Sequence, residues 1–113
     1  MAGFVKGDVV IVPFPFSDLT ETKRRPALVI ATLKGDDLIL CQITSQAVGD
    51  MYAIKLDNSD FSYGRLNQPS NIRPNRIFTA DKQIVLYQAG QIKLEKLTEV
   101  INKIIEIIQN SSL

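Results

Sequence analysis

A run of charged side chains directly before an apolar stretch is the first feature that could do chemistry. Glu21 is followed at short spacing by Lys23, Arg24 and Arg25, and Pro26 comes next. The residue before a proline avoids the helical region, and proline fits the first position of a strand. Arg25 is therefore predicted to lie where a loop becomes a strand. Guanidinium groups bind phosphate oxygens in a bidentate manner and stay charged at neutral pH, although a run of charges is usually a solvated surface.

A hydroxyl pair and a second group of arginines lie further along the chain. Thr44 and Ser45 follow an apolar run, and Arg73 and Arg76 fall within residues 61–80, a segment without any acidic residue. The formal net charge is only +1, from 13 basic and 12 acidic residues. A basic patch therefore depends on whether the fold brings these segments together.

Such a set of residues suits phosphate chemistry, and RNA cleavage in particular. The 2′-hydroxyl of RNA is an internal nucleophile, so a site can act by positioning and electrostatics. Arg25 would neutralise charge on a phosphoryl group, and Thr44 would donate a hydrogen bond to it. Arginine is a poor general base because its pKa lies above ~12, so Glu21 and Asp18 are the candidate acids or bases. On residue types alone, a binding domain without catalysis ranks above a nuclease.

Other kinds of site have little support in the composition. The chain has no histidine and one cysteine, Cys41, which rules out an intrachain disulfide and argues against zinc. It has neither a glycine-rich phosphate loop nor a nucleophile with a histidine partner. We therefore expect no metal and no other cofactor. No segment approaches the ~18 apolar residues of a membrane helix, so a cytoplasmic protein with no membrane contact is expected.

The elements that must position these residues are mainly β-strands. The 113 residues, 45% hydrophobic and 22% charged, predict one globular domain spanning 1–113. The β-branched run at 9–12 predicts a first strand that ends at Pro13, which has no N–H for a sheet. Both faces of this strand are apolar, which is typical of a central barrel strand or of one at a subunit contact.

A hairpin is predicted to follow the charged run. Residues 26–33 and 37–43 read as strands, and 34–36 as a compact turn between them. Strands joined so briefly pair in antiparallel fashion, which returns the chain to the end where Arg25 lies. Thr44 is therefore expected close to the basic loop.

The second half of the chain is predicted less uniformly. A strand is expected at 51–56, a long loop at 58–74 and a further strand at 75–80. Residues 82–87 fit either a helical turn or a strand. Apolar residues at helical spacing predict an amphipathic helix over 93–109.

Three short motifs in order give the chain a resemblance to a known family. They are GDVVIV at 7–12, RPALVI at 25–30 and QITSQ at 42–46, and the likeness continues through 73–81 and the closing helix. With this order and spacing the chain resembles the MazF/PemK-like toxins of bacterial type II toxin–antitoxin modules.

The resemblance implies both a fold and an activity. The fold would be a small SH3-like β-barrel with a C-terminal amphipathic helix, forming a homodimer with active sites near the subunit interface. The activity would be metal-independent, sequence-selective cleavage of single-stranded mRNA by 2′-hydroxyl attack, leaving a 2′,3′-cyclic phosphate and a 5′-hydroxyl. The partner would be a small antitoxin whose disordered acidic segment covers the basic groove.

The resemblance also assigns roles to residues. Arg25 would act in acid–base work and transition-state stabilisation, and Thr44 would hold the phosphate. Ser45, Gln46 and Arg73 correspond to positions that contact RNA or complete the site in some members. The other residues expected to bind RNA are Lys23, Arg24, Asn75 and Arg76.

One departure from the family and one alternative function remain open. Asn75 stands where one branch of the family carries an aspartate. Asparagine exchanges no proton at neutral pH, so under that branch's mechanism one proton-transfer role would be vacant. The alternative is a non-catalytic interaction domain on the same barrel, either a degenerate toxin or a poison of a protein target such as DNA gyrase.

Overall fold

The computed structural model describes residues 3–14 and 23–112, and within them the chain forms seven β-strands and one α-helix. The strands are β1 (Asp8–Phe14), β2 (Lys23–Thr32), β3 (Asp37–Thr44), β4 (Ile54–Leu56), β5 (Phe61–Gly64), β6 (Ser70–Asp81) and β7 (Tyr87–Ile92). The helix is α1 (Leu94–Gln109), and single 3-10 turns occupy Asn58–Asp60 and Lys82–Ile84.

All seven strands belong to one antiparallel sheet in the order β4-β6-β3-β2-β1-β7-β5. The sheet curls, and α1 adds Leu97 and Val100 to the core on one of its faces. The predicted fold class, a mainly β, barrel-like domain with a C-terminal helix, is confirmed. No helix in the described part of the chain is long and apolar enough to cross a membrane.

The sheet buries apolar side chains on both faces. The helix-side core contains Val9, Leu28, Cys41, Ile43, Ile54, Leu56, Phe61, Ile72, Ile92, Leu97 and Val100. The cleft-side core, on the opposite face, contains Val10, Val12, Ala27, Val29, Leu38 and Leu40. Because successive side chains of a strand point to opposite faces, the unbroken apolar run in β1 supplies both cores.

The predicted hairpin and helix are confirmed. β2 and β3 pair in antiparallel fashion with Ala27 opposite Gln42, and α1 begins one residue later than expected. The predicted end of β1 at Pro13 is wrong, since the strand continues to Phe14. β7 pairs with β1 only as far as Ile11, so Pro13 lies where one side of β1 has no described strand partner, and its missing N–H is tolerated there. Because Pro13 and Phe14 pair with Arg24 and Lys23, β2 begins at Lys23, and Arg25 lies inside the strand.

The predicted long loop at 58–74 is also wrong. It holds a 3-10 turn, β5 and the start of β6. The turn is held by a capping box, in which the Asp57 carboxylate accepts from the Ser59 N–H and the Asp60 carboxylate accepts from the Asp57 N–H. These elements are short and polar, so they show no sustained alternation. β7 was likewise not predicted as a separate strand.

The region left open at 82–87 begins as a 3-10 turn. The Asp81 carboxylate caps this turn by accepting a hydrogen bond from the Gln83 N–H at 2.8 Å. β7 then starts at Tyr87. Gly64 allows β5 to approach this strand, because its φ is +75° and a Cβ there would lie 2.2 Å from the Ala89 carbonyl oxygen.

Candidate active site

An open cleft of about 600 Å³ lies at one end of the β2–β3 hairpin. Ala27 and Gln42 are directly opposite each other in the two strands. Arg25 and Thr44 each lie two residues beyond this pair, toward the same end, so their side chains point to the same face. Both are half-buried and both line the cleft. The hairpin thus brings together the arginine and the threonine that the sequence singled out.

The cleft is continuous with the cleft-side core. Its floor includes Val12 and Ala27, which belong to that core. Phe14 and Phe78 form an apolar wall, with ring centroids 6.1 Å apart and planes tilted by 47°. An apolar wall beside cationic side chains provides both a surface on which a nucleobase can stack and hydrogen-bond donors for a phosphate.

The residues after β3 are held in a tight turn. The Gln46 N–H donates to Thr44 Oγ1 at 3.1 Å, and Asn71 Nδ2 donates to the Gln46 carbonyl at 3.2 Å. Thr44 Oγ1 thus accepts a backbone hydrogen bond, and its own hydroxyl hydrogen stays available to donate. Gln46 also lines the cleft.

Arg73 reaches the cleft because the pairing of β3 with β6 is irregular. Cys41 lies opposite Ile77, but Ile43 lies opposite Ile72, so residues 73–76 face a single residue of β3. Bulges of this kind redirect side chains and are common beside active sites. The Cys41 thiol donates a hydrogen bond to the Arg73 carbonyl, with 2.8 Å between Sγ and the oxygen. Burial raises the pKa of that thiol to about 12, so it keeps the proton that it donates.

Asp50 is a cleft residue that sequence reasoning missed. Its Oδ2 accepts from Arg73 Nη2 at 3.0 Å, and its Oδ1 accepts the N–H groups of Tyr52 and Ala53 at 2.9 and 3.1 Å. The Tyr52 hydrogen bond, followed by those from Arg73 and Ala53, holds the pKa of Asp50 below its ordinary value. These bonds also explain why β4 begins at Ile54, later than predicted. An aspartate after a glycine is typical of a turn in which the carboxylate binds the backbone two residues on, but nothing in the local sequence indicates the contact with Arg73.

The two basic residues before Arg25 lie at the start of β2. Arg24 and Lys23 are exposed at the start of β2, opposite Pro13 and Phe14. Lys23 is two residues from Arg25, so it lies on the same strand face and extends the basic edge of the cleft.

Like Lys23 and Arg24, three further predicted RNA-binding residues are exposed and do not line the cleft: Ser45, Asn75 and Arg76. The candidate acids or bases, Glu21 and Asp18, lie outside the described residues.

Comparison with known proteins identifies the family. The sequence model described as PemK-like, MazF-like toxin of type II toxin–antitoxin system matches residues 5–108. The chain therefore belongs to this family of toxins, and the resemblance seen in its motifs is confirmed. No protein in the curated collection of sequences matches the chain significantly.

Solved structures share the fold at low sequence identity. An endoribonuclease in complex with its cognate antitoxin from Mycobacterial species has a TM-score of 0.74 at 12% identity, covering 98% of this chain and 100% of that chain. A chain of the MazE–MazF complex from Deinococcus radiodurans has a TM-score of 0.75 at 21% identity, with the same coverage of 98% and 100%. At these identities the likeness establishes the fold.

Proposed function

We propose that this toxin is a sequence-selective endoribonuclease that cleaves single-stranded mRNA without a metal ion. The observation that carries the proposal is the placement of Arg25 and Thr44 side by side at the hairpin end, in a cleft that Arg73 also lines. Guanidinium groups and a hydroxyl donor suit a phosphodiester, and the chain belongs to a family of toxins whose structural relatives include endoribonucleases.

The cleavage step is an internal displacement at phosphorus. The 2′-oxygen of the RNA attacks the adjacent phosphorus, the bond from phosphorus to the 5′-oxygen breaks, and a 2′,3′-cyclic phosphate forms. The 2′-hydroxyl loses a proton and the departing 5′-oxygen gains one, which gives a 5′-hydroxyl. In this step Arg25 stabilises the charge that builds on the phosphoryl oxygens, and the Thr44 hydroxyl donates to one of them.

Proton transfer needs an acid and a base, and the residues in and near the cleft differ in how well they suit these roles. Asp50 is a poor base because its carboxylate is engaged by three hydrogen bonds and its pKa is lowered. Asn75 does not line the cleft, so its lack of an exchangeable proton need not weaken the reaction. We assign an acid–base role to Arg25, as the family resemblance implies: its charged guanidinium would give a proton to the departing 5′-oxygen, and Glu21 is the candidate base that accepts the proton of the 2′-hydroxyl.

The proposed partners follow from the family. Structural relatives are complexes of a toxin with its antitoxin. We propose that this protein acts in the cytoplasm as a homodimer and is inhibited by a small antitoxin. An acidic antitoxin segment would bind the basic edge formed by Lys23 and Arg25.

The test is cleavage of single-stranded RNA in the presence of a chelator, followed by identification of the product ends. The wild type should leave cyclic-phosphate and 5′-hydroxyl ends, and Arg25→Ala and Thr44→Val should each remove the activity. Arg65→Ala is the matched control, because Arg65 is exposed and does not line the cleft. Intact RNA at high concentration of folded, antitoxin-free protein would overturn the proposal and support a non-catalytic interaction domain.

A further inference from the structure

The carboxylate of Asp50 is held from two sides. Two backbone N–H groups, from Tyr52 and Ala53, bind Oδ1, and the Arg73 guanidinium binds Oδ2. The side chains of Asp50 and Arg73 keep only 24% and 21% of their exposure. The pair is therefore fixed in the cleft wall by the backbone that leads into β4, whereas an ordinary surface ion pair is loosely held.

The Arg73 guanidinium depends on this carboxylate for its orientation. Its Nε is buried and has no acceptor among the described residues. Within residues 3–14 and 23–112, Asp50 is the one side chain that accepts a hydrogen bond from the guanidinium. Without Asp50 the backbone of Arg73 would keep its Cys41 contact, but the end of the side chain would lose its anchor.

We propose that Asp50 is a positioning residue that holds Arg73 in the wall of the cleft, so that the N–H groups of the terminal guanidinium nitrogens that Asp50 does not engage are available to the RNA. This inference rests on the proposed function, because it assigns Arg73 to the same substrate. The paired charges nearly cancel, so Arg73 contributes directed hydrogen bonds but little general attraction for a polyanion. Arg25 and Lys23 remain the source of that attraction.

Asp50→Asn separates positioning from charge. Asparagine keeps the oxygen that accepts the Tyr52 and Ala53 N–H groups, but it turns an amide donor toward a guanidinium donor. The variant therefore keeps its turn and releases Arg73, while the cleft gains one positive charge. We expect tighter binding to a single-stranded oligodeoxynucleotide, with a log–log salt slope steeper by up to about 0.7. We expect kcat for RNA cleavage to fall by at least about tenfold, because the guanidinium is misplaced. A general loss of structure would instead weaken binding and abolish the cooperative thermal transition, whereas loss of the ion pair alone only lowers Tm.

Two further variants make the result specific. Asp36→Asn removes a carboxylate from an exposed pair with Lys82 at the other end of β3, and it should leave kcat unchanged. If Asp50 acts through Arg73, the double variant Asp50→Asn with Arg73→Gln should have a kcat no lower than that of Arg73→Gln alone. Additive losses would mean that Asp50 acts independently of Arg73, and would overturn the proposal.

A second readout does not need catalysis. The Arg73 Nε–H signal in nitrogen–proton NMR spectra should exchange slowly with water in the wild type and faster in Asp50→Asn. If the wild type leaves RNA intact, the proposed function fails, and the NMR signal and the oligodeoxynucleotide affinity still decide the role of Asp50. An unchanged signal and unchanged affinity in the Asp50→Asn variant would overturn that role.

Discussion

One face of the β2–β3 hairpin is a core at one end and a cleft at the other. Toward the turn, Leu38 and Leu40 are buried in the cleft-side core. Toward the other end, Gln42 and Thr44 occupy the same face of the same strand and line the cleft. The strand register that buries the leucines therefore also determines the face to which the side chains of Arg25 and Thr44 point. A small domain can hold a site rigidly when the site is a continuation of its core.

The largest expected effect comes from changing the cleft end alone. Arg25→Lys keeps the positive charge but loses the planar set of donors that fits a phosphate. We expect the rate of RNA cleavage to fall by about 10²-fold or more, with little change in Tm because the side chain lies outside both cores. Activity assays and thermal unfolding on the same preparation check this. A large drop in Tm would show that the two ends are not separable.

Leu40→Ala makes the reverse change at the core end. Leu40 is fully buried, and removing such a side chain costs about 2–5 kcal/mol of unfolding free energy. Activity per folded molecule should be nearly unchanged, because Leu40 does not reach the cleft. Denaturant unfolding gives the loss of stability, and activity normalised to the folded fraction tests the independence of the site.

Gln42→Leu moves the boundary between the two ends. Gln42 is half-buried and is the first polar residue beyond Leu40 on this face. Leucine there should raise the unfolding free energy by up to about 1 kcal/mol through added apolar burial. It should also reduce cleavage several-fold, because the cleft loses polar surface. A variant that is both more stable and equally active would show that cleavage does not need the polar surface of Gln42.

The smallest expected effect is on pH dependence. The folded-state pKa of Asp50 is lowered, so its stabilising contribution is present above its unfolded pKa, about 3.9, and is lost as pH falls through the lower folded value. The Tm difference between wild type and Asp50→Asn should be constant from about pH 5 to 8 and shrink below about pH 4. Asp36→Asn serves as the comparison, and a difference that persists in acid would mean that the Asp50 carboxylate is not the source.

Local patterns were sufficient for the elements that repeat regularly. The helical spacing of apolar residues predicted α1, and the short turn between two apolar runs predicted the β2–β3 hairpin with Thr44 returned toward Arg25. The elements missed were short or irregular. β5 and β7 show little alternation of apolar and polar residues. β1 continues through Pro13 because β7 pairs with it only as far as Ile11, and no other described strand takes the place of β7 beside Pro13.

The sequence by itself determined the barrel-like fold class, the family and the placement of Arg25 and Thr44 at the same end of the hairpin, because each depends on short-range periodicity or on ordered motifs. The tertiary structure alone decided the position of Arg73 in the cleft and its ion pair with Asp50. Residues 73–76 bulge because β6 changes register against β3, and the ion pair joins residues 23 positions apart. Contacts of this kind depend on how strands align with one another, and no local spacing in the chain specifies that alignment.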